Sequence, residues 1–182
     1  WKATAREGRL MTRTRIGEEK SGISVFCDMA RFSGRAEEYL PLENRILEVL
    51  LALGFFFAGK EMGVAVYYGQ KGLVRQQVRG MKDFDGFYQK VSEVSFEEDG
   101  DILAALEEAA VYGGLQEARI VFLILHRLDG RVMEMTEKLA ARGTAVAIYA
   151  VTDENIRDAV KQGGARRKIV QVPIEKPLEG RL

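Results

Sequence analysis

The chain has 182 residues, 47% hydrophobic and 30% charged, which is enough for one soluble-type domain with a real core and no covalent staples. Lys+Arg and Asp+Glu number 27 each, and without a basic surplus sequence-independent nucleic-acid binding is not expected. One cysteine and one histidine exclude a disulfide framework, a Cys-rich zinc site and a multi-His metal centre.

The chain opens at Trp1 with no signal sequence, which reads as a segment cut from a longer protein. The expected division is an arm over 1–20, a domain over 21–174 and a tail over 175–182. Residues 1–20 hold six basic against three acidic side chains, net +3, and residues 165–182 hold five against two, also net +3. These ends are either solvated termini or a basic cluster on one surface. Within the arm, Leu10–Ile16 alternates apolar or threonine with arginine, as an edge strand would.

Gly22–Cys27 reads as a buried strand closed by Asp28, and a polar stretch, Arg31–Glu38, follows. Pro41 then opens a helix expected over Leu42–Phe57. Its apolar residues Ile46, Leu47, Leu50, Leu51 and Leu53 nearly encircle it, the mark of a buried helix. Its surroundings hold the longest apolar run, Val49–Ala58 broken by Gly54. That is far short of the ~20 residues needed to cross a bilayer, so this piece is expected not to be membrane-embedded.

Gly63–Tyr68 and Leu73–Arg79, joined by the Gly69–Gly72 turn, read as a hairpin. Phe84, Phe87, Tyr88, Val91 and Val94 recur at helical spacing. After the acidic loop Glu97–Asp101, a helix begins near Asp101, whose charge suits a helix N-terminus. Arg119–Leu125 is a fully buried strand of the parallel kind. Val132–Arg142 is helical with Gly143 as its C-cap, and Thr144–Val151 is a strand. Asp153 is expected to cap a short helix ending near Gln162. Ile169–Val172 is the last strand. Apolar strands alternating with amphipathic helices specify a doubly wound, mostly parallel α/β sheet with one antiparallel edge strand and helices on both faces.

In such a sheet, sites lie at the carboxyl ends of the strands, which directs attention to Asp28–Phe32, Glu97–Asp101 and His126–Asp129. Asp28 is where a carboxylate binds magnesium or is phosphorylated, or else caps a loop. A phosphoaspartate enzyme would have a second Asp at the position of Ala30, and Arg31 is placed to neutralise Asp28. His126 is either a hydrogen-bonded structural residue or a pH-sensitive group near Asp28 or Asp101. Cys27 reads as core. The acidic loop offers oxygen ligands for a hard cation but lacks calcium-loop spacing. Gly54–Lys60 matches most of a phosphate-binding loop. It fails because Glu61 replaces the magnesium-binding hydroxyl, three phenylalanines fill its interior, and it sits at a helix end where carbonyls project. No Gly-x-Gly-x-x-Gly follows a strand, so no cofactor is expected.

The opening Trp1-Lys-Ala-Thr-Ala-Arg-Glu-Gly-Arg-Leu-Met resembles the stretch that, in the bacterial and archaeal domain-of-unknown-function family fifty-eight, directly precedes a von Willebrand factor A-like domain. The deduced order of elements is similar to that domain. The resemblance implies a metal-ion-dependent adhesion site built from Asp-x-Ser-x-Ser after the first strand, a Thr in a glycine loop and an Asp after the fourth strand. Here Asp28 keeps the first Asp, Ala30 and Phe32 replace both serines, Asp101 falls where the Thr would be, and His126 takes the last position. The site is therefore expected to be degenerate and to hold no metal.

What the resemblance implies about function is a non-catalytic protein–protein interaction domain. It would act with a MoxR-type AAA+ ATPase in protein assembly or maturation, as a soluble or cytoplasmic-side domain of a membrane-anchored parent. The expected binding face is Asp28, Ala30, Arg31, Phe32, Asp99, Asp101, His126 and Arg127. The alternative is a metal-assisted hydrolase or phosphotransferase using Asp28, Asp101 and His126.

Overall fold

Among the described residues the chain forms β1 (Gly22–Cys27), α1 (Ala36–Gly59), β2 (Val64–Gly69), β3 (Leu73–Val78), α2 (Met81–Ser92) and α3 (Ile102–Val111). These are followed by β4 (Ala118–Leu125), α4 (Gly130–Ala141), β5 (Ala145–Val151), α5 (Arg157–Lys161) and β6 (Arg167–Val172). A computed structural model describes residues 22–175 apart from 33, 70–72, 99–100, 112–114 and 162. The N-terminal arm with its Leu10–Ile16 strand, Asp99 of the expected binding face, and the tail past Glu175 lie outside the described residues.

The six strands form one sheet in the order β3-β2-β1-β4-β5-β6. Every neighbouring pair is parallel except β2 and β3, which run antiparallel with Val64 opposite Val78. The doubly wound sheet read from the sequence is the sheet that forms. Its central strands are apolar on both faces because both are covered. Val25 and Cys27 of β1 join the core under α1 and α2, whereas Phe26 joins the core under α3 and α4. Phe26 sits opposite Tyr67 in the β1–β2 register, and the two rings stack at 4.5 Å with planes 7° apart. Among the described residues no helix is long and apolar enough to cross a membrane.

Helix α1 departs from its sequence reading at both ends. It starts at Ala36, and Pro41 lies inside it. Proline is favoured in the first turn and costly beyond it, which is why the sequence reading began at Leu42. Here Glu37 and Glu38 occupy the first turn, where carboxylates suit the positive end of the helix dipole. Nor is the helix buried all round. Leu42, Ile46, Val49, Leu50, Leu53 and Phe57 face the core, but Phe55 and Phe56 are 56% and 49% exposed. A helix lying on a sheet can bury only the stripe that faces it.

The phosphate-loop look-alike resolves into packing and a helix stop. Met62 N–H donates to Phe57 O (3.0 Å) and Glu61 N–H to Ala58 O (3.1 Å), with Glu61 at φ 55. That is a Schellman end, so no amides are left to cradle a phosphate. Gly54 is where α1 meets α2: a Cβ there would fall 2.8 Å from Cε1 of Phe87, whose side chain is fully buried. Gly54→Ala is therefore expected to destabilise the fold by about 1–2 kcal/mol. Overpacking costs roughly 1–3 kcal/mol and outweighs the ~1 kcal/mol helix-propensity gain of alanine. A denaturation midpoint at or above that of the unmodified protein would refute this.

Smaller differences follow from local hydrogen bonding. Asp153 does not cap α5. Its Oδ1 accepts from Ile174 N–H (3.1 Å), and Asn155 Oδ1 accepts from Arg157 N–H at the helix start (3.1 Å). Strand β6 begins two residues early, at Arg167. Its guanidinium, buried beside Met133, reaches Glu137 on α4 at 3.0 Å. The Gly143 cap of α4 is present, at φ +85, and Asp129 caps the other end by accepting from Val132 N–H (2.8 Å).

Candidate functional site

Strand order reverses between β1 and β4: the chain crosses from β1 to β2 on one side, and β4 lies on the other. Ligands of open α/β sheets sit at such a switch point, beyond the carboxyl ends of the strands. Cys27 is level with Ile124 in the parallel register, so the residues just past the two strands, Asp28 and His126, meet there.

Asp28 is held from several sides. Its N–H donates to Ile124 O (2.9 Å), and its Oδ1 accepts from Ala30 N–H (3.1 Å), an Asx turn. Its Oδ2 lies 3.0 Å from His126 Nδ1, with the two side chains only 8% and 3% exposed. The contact is close but off the N–H axis, so among the described residues neither ring nitrogen of His126 completes an aligned hydrogen bond. A buried polar atom left in that condition costs about 1–3 kcal/mol. Phe32 stands beside His126, the ring centroids 6.1 Å apart and the planes tilted by 44°, and it is 46% exposed.

Arg31 does not neutralise Asp28. It turns toward α1, donating from Nε to Glu43 Oε1 at 2.7 Å and stacking over the Tyr39 ring at 4.1 Å. The Glu43 hydrogen bond raises the Arg31 pKa further. Backbone pairing ties the same loop to the segment before α3: Arg31 N–H donates to Glu97 O (2.8 Å) and Glu97 N–H to Met29 O (2.9 Å). Asp101 is exposed and caps α3 by accepting from Leu103 N–H (2.9 Å). Arg127 is exposed at the end of β4. Burial, then the charge of Asp28, pushes the Cys27 thiol well up, which makes it the inert core residue the sequence indicated.

The structure thus joins Asp28, Ala30, Phe32 and His126 in one spot. It places Asp101 with Asp28 and Glu97 on a narrow cleft of about 40 Å³. That cleft has room for about one water, against the roughly 300–1,000 Å³ of small-molecule sites. A divalent cation would need several oxygens facing one point. Ala30 and Phe32 bring none, and the Asp28 oxygens already face Ala30 N–H and His126. Among the described residues no three His, Cys, Asp or Glu side chains gather as a metal would require. These residues do not fit Mg²⁺ or a similar ion.

Two contributors escaped the sequence reading, Glu43 and Tyr39, which anchor Arg31. The signal for Glu43 was available. It stands three residues before Ile46 and seven before Leu50 on the buried stripe of α1, and a carboxylate on a core stripe needs a cation.

No protein-family model matches the chain, and no curated protein matches it in sequence. Solved structures do match in shape. The VWA domain of SpRpn10 superposes with a TM-score of 0.57 at 6% identity, over 87% of this chain and 90% of that one. Proximal thread matrix protein 1 from the mussel byssus gives 0.55 at 12% identity, over 83% of this chain but only 43% of that one. The manganese-loaded TRAP protein of Plasmodium vivax gives 0.54 at 12% identity, over 84% and 69%. The chain has the von Willebrand factor A fold.

Proposed function

We propose that this chain is a non-catalytic protein-interaction domain whose strand-edge metal site has degenerated into a direct docking face. One observation carries the reading. At the switch point, where a cation would sit in this fold, a half-exposed Phe32 stands beside a buried His126, and the Asp28 oxygens face Ala30 N–H and His126. The face is centred on Phe32, with Asp28, Ala30 and His126 beneath it and Arg127 and Asp101 at its rim. Arg31 supports it from below through Glu43 and Tyr39.

The resemblance of the opening residues to family fifty-eight supports a MoxR-type AAA+ ATPase as partner and a role in protein assembly or maturation. It also supports a place on the cytoplasmic side of a membrane-anchored parent. The hydrolase or phosphotransferase reading has Asp28 against His126 and Asp101 on the cleft of about 40 Å³ beside Asp28.

The test is Phe32→Asp against a purified MoxR-type ATPase by biolayer interferometry. Binding is expected to weaken at least tenfold while the thermal midpoint barely moves, since exposed substitutions usually change stability by about 0.5 kcal/mol or less. Equal binding by the variant would remove this face from the interaction. Mg²⁺- or Mn²⁺-dependent phosphatase turnover that disappears in Asp28→Ala would establish the enzymatic reading instead.

A further inference from the structure

We propose that Glu43, with Tyr39, is a positioning residue for the docking face: by holding Arg31 against α1 it fixes the aim of Phe32, so that a partner meets a loop already built. This inference rests on the docking role given to Phe32 above and names what presents that ring.

Residues 28–31 continue β1 past its last strand residue. Asp28 N–H donates to Ile124 O (2.9 Å) and prolongs the pairing with β4. Ala30 bridges Glu97 in parallel, with Arg31 N–H donating to Glu97 O (2.8 Å) and Glu97 N–H to Met29 O (2.9 Å). These bonds fix the backbone as far as the Arg31 nitrogen. The side chains that follow are set by a second tether, to α1. Arg31 Nε donates to Glu43 Oε1 at 2.7 Å, and Nη2 stands 3.4 Å from Oε2. A grip of that kind sets the plane of the guanidinium as well as its position. Tyr39 offers its ring to the guanidinium, 4.1 Å from carbon to centroid. Tyr39 and Glu43 are four residues apart on α1, so one face of the helix supplies both. Neighbouring side chains of an extended segment point to opposite sides. With Arg31 tied toward α1, Phe32 is left to point the other way, where its ring stands 6.1 Å from that of His126.

Glu43 sits on the buried stripe of α1 with Leu42 and Ile46, and its side chain is only 10% exposed. A carboxylate there forgoes most of its hydration. An apolar side chain would serve the packing as well, since exchanging buried charge for apolar volume is often neutral or stabilising. Arg31 is 25% exposed and can turn to water when released. The fold therefore does not require Glu43, whereas the orientation of Arg31 does. A half-exposed aromatic ring held in place spares a partner the entropy of ordering it.

The test compares the intact chain with Glu43→Leu, Glu43→Gln and Tyr39→Leu, by amide hydrogen exchange and by binding to a purified MoxR-type ATPase. In Glu43→Leu the Arg31 and Glu97 amides are expected to exchange about tenfold faster. The Thr152 amide, bonded to Val172 O (3.0 Å), should exchange as before, and the thermal midpoint should not fall. Binding to the ATPase is expected to weaken about tenfold although Phe32 is still present. Glu43→Gln keeps an oxygen that accepts from Arg31 Nε and should retain most of the protection and the binding. Tyr39→Leu removes only the stacked ring and should lose about threefold in each. Unchanged exchange of the Arg31 and Glu97 amides in Glu43→Leu would overturn the proposal. So would faster exchange that includes Thr152, because Glu43 would then serve the fold as a whole. Undiminished binding by Glu43→Leu beside weakened binding by Phe32→Asp would overturn this proposal alone. Equal binding by Phe32→Asp would remove the docking reading and the role of Glu43 with it.

Discussion

Phe26→Ala is expected to lower the stability of the fold by about 3–5 kcal/mol, the range for aromatic-to-alanine changes in close-packed cores. Phe26 is fully buried in the core between β1 and the α3–α4 face, and it stacks on Tyr67 of β2. The substitution removes the buried ring, leaves a void that the flanking strands cannot close, and strips Tyr67 of its stacking partner, a contact worth about 0.5–1.5 kcal/mol beyond burial. Because Phe26 and Asp28 lie two residues apart on the same strand direction, the loss also loosens the support of the site. Urea denaturation is the measurement: the midpoint should fall with the slope unchanged. A loss below about 1 kcal/mol would mean that this ring is not central to the core.

The second large effect concerns the pair at the switch point. Asp28→Ala is expected to cost about 2–4 kcal/mol. It leaves Ala30 N–H without its acceptor, which costs roughly 1–3 kcal/mol, and takes from buried His126 the carboxylate that lies 3.0 Å from its Nδ1. Asp28→Asn should cost much less, since the amide oxygen still accepts from Ala30 N–H and the amide nitrogen can donate toward Nδ1. Replacing both partners, Asp28→Ala with His126→Phe, should recover part of the loss, because removing a buried polar pair together is far cheaper than removing one member. The double-mutant cycle should therefore report a coupling of about 1–3 kcal/mol. Additive losses would show that the 3.0 Å contact between the two side chains contributes nothing.

Much of this structure was legible in the residues, for identifiable reasons. The central strands could be found because a strand covered on both faces must be apolar throughout, as in Ile120–Leu125. The ends of α3 and α4 could be found because Asp101 and Gly143 have chemistry suited to one helical position each. The start of α1 could not, because Pro41 favours a first-turn position that tertiary packing overrode. Asp153 and Asn155 are both good caps by type, and only the fold decides that Asp153 serves Ile174 instead.

At the site, Asp28 and His126 were identifiable as residues closing two strands. That they touch depends on β1 and β4 being neighbours in register, a long-range fact absent from local patterns. Arg31 was placed near the right loop but given the wrong carboxylate. Its true partner lies twelve residues on, in α1, and depends on where that helix passes.

The solitary histidine at the switch point makes the site its own spectroscopic label. The chain contains one imidazole, and that ring stands beside both Asp28 and Phe32. A histidine-selective isotope label therefore gives a single set of ring signals that needs no assignment, and those signals report the hydrogen bonding of both ring nitrogens directly. Contact at the strand edge is then read directly, because it reaches that ring.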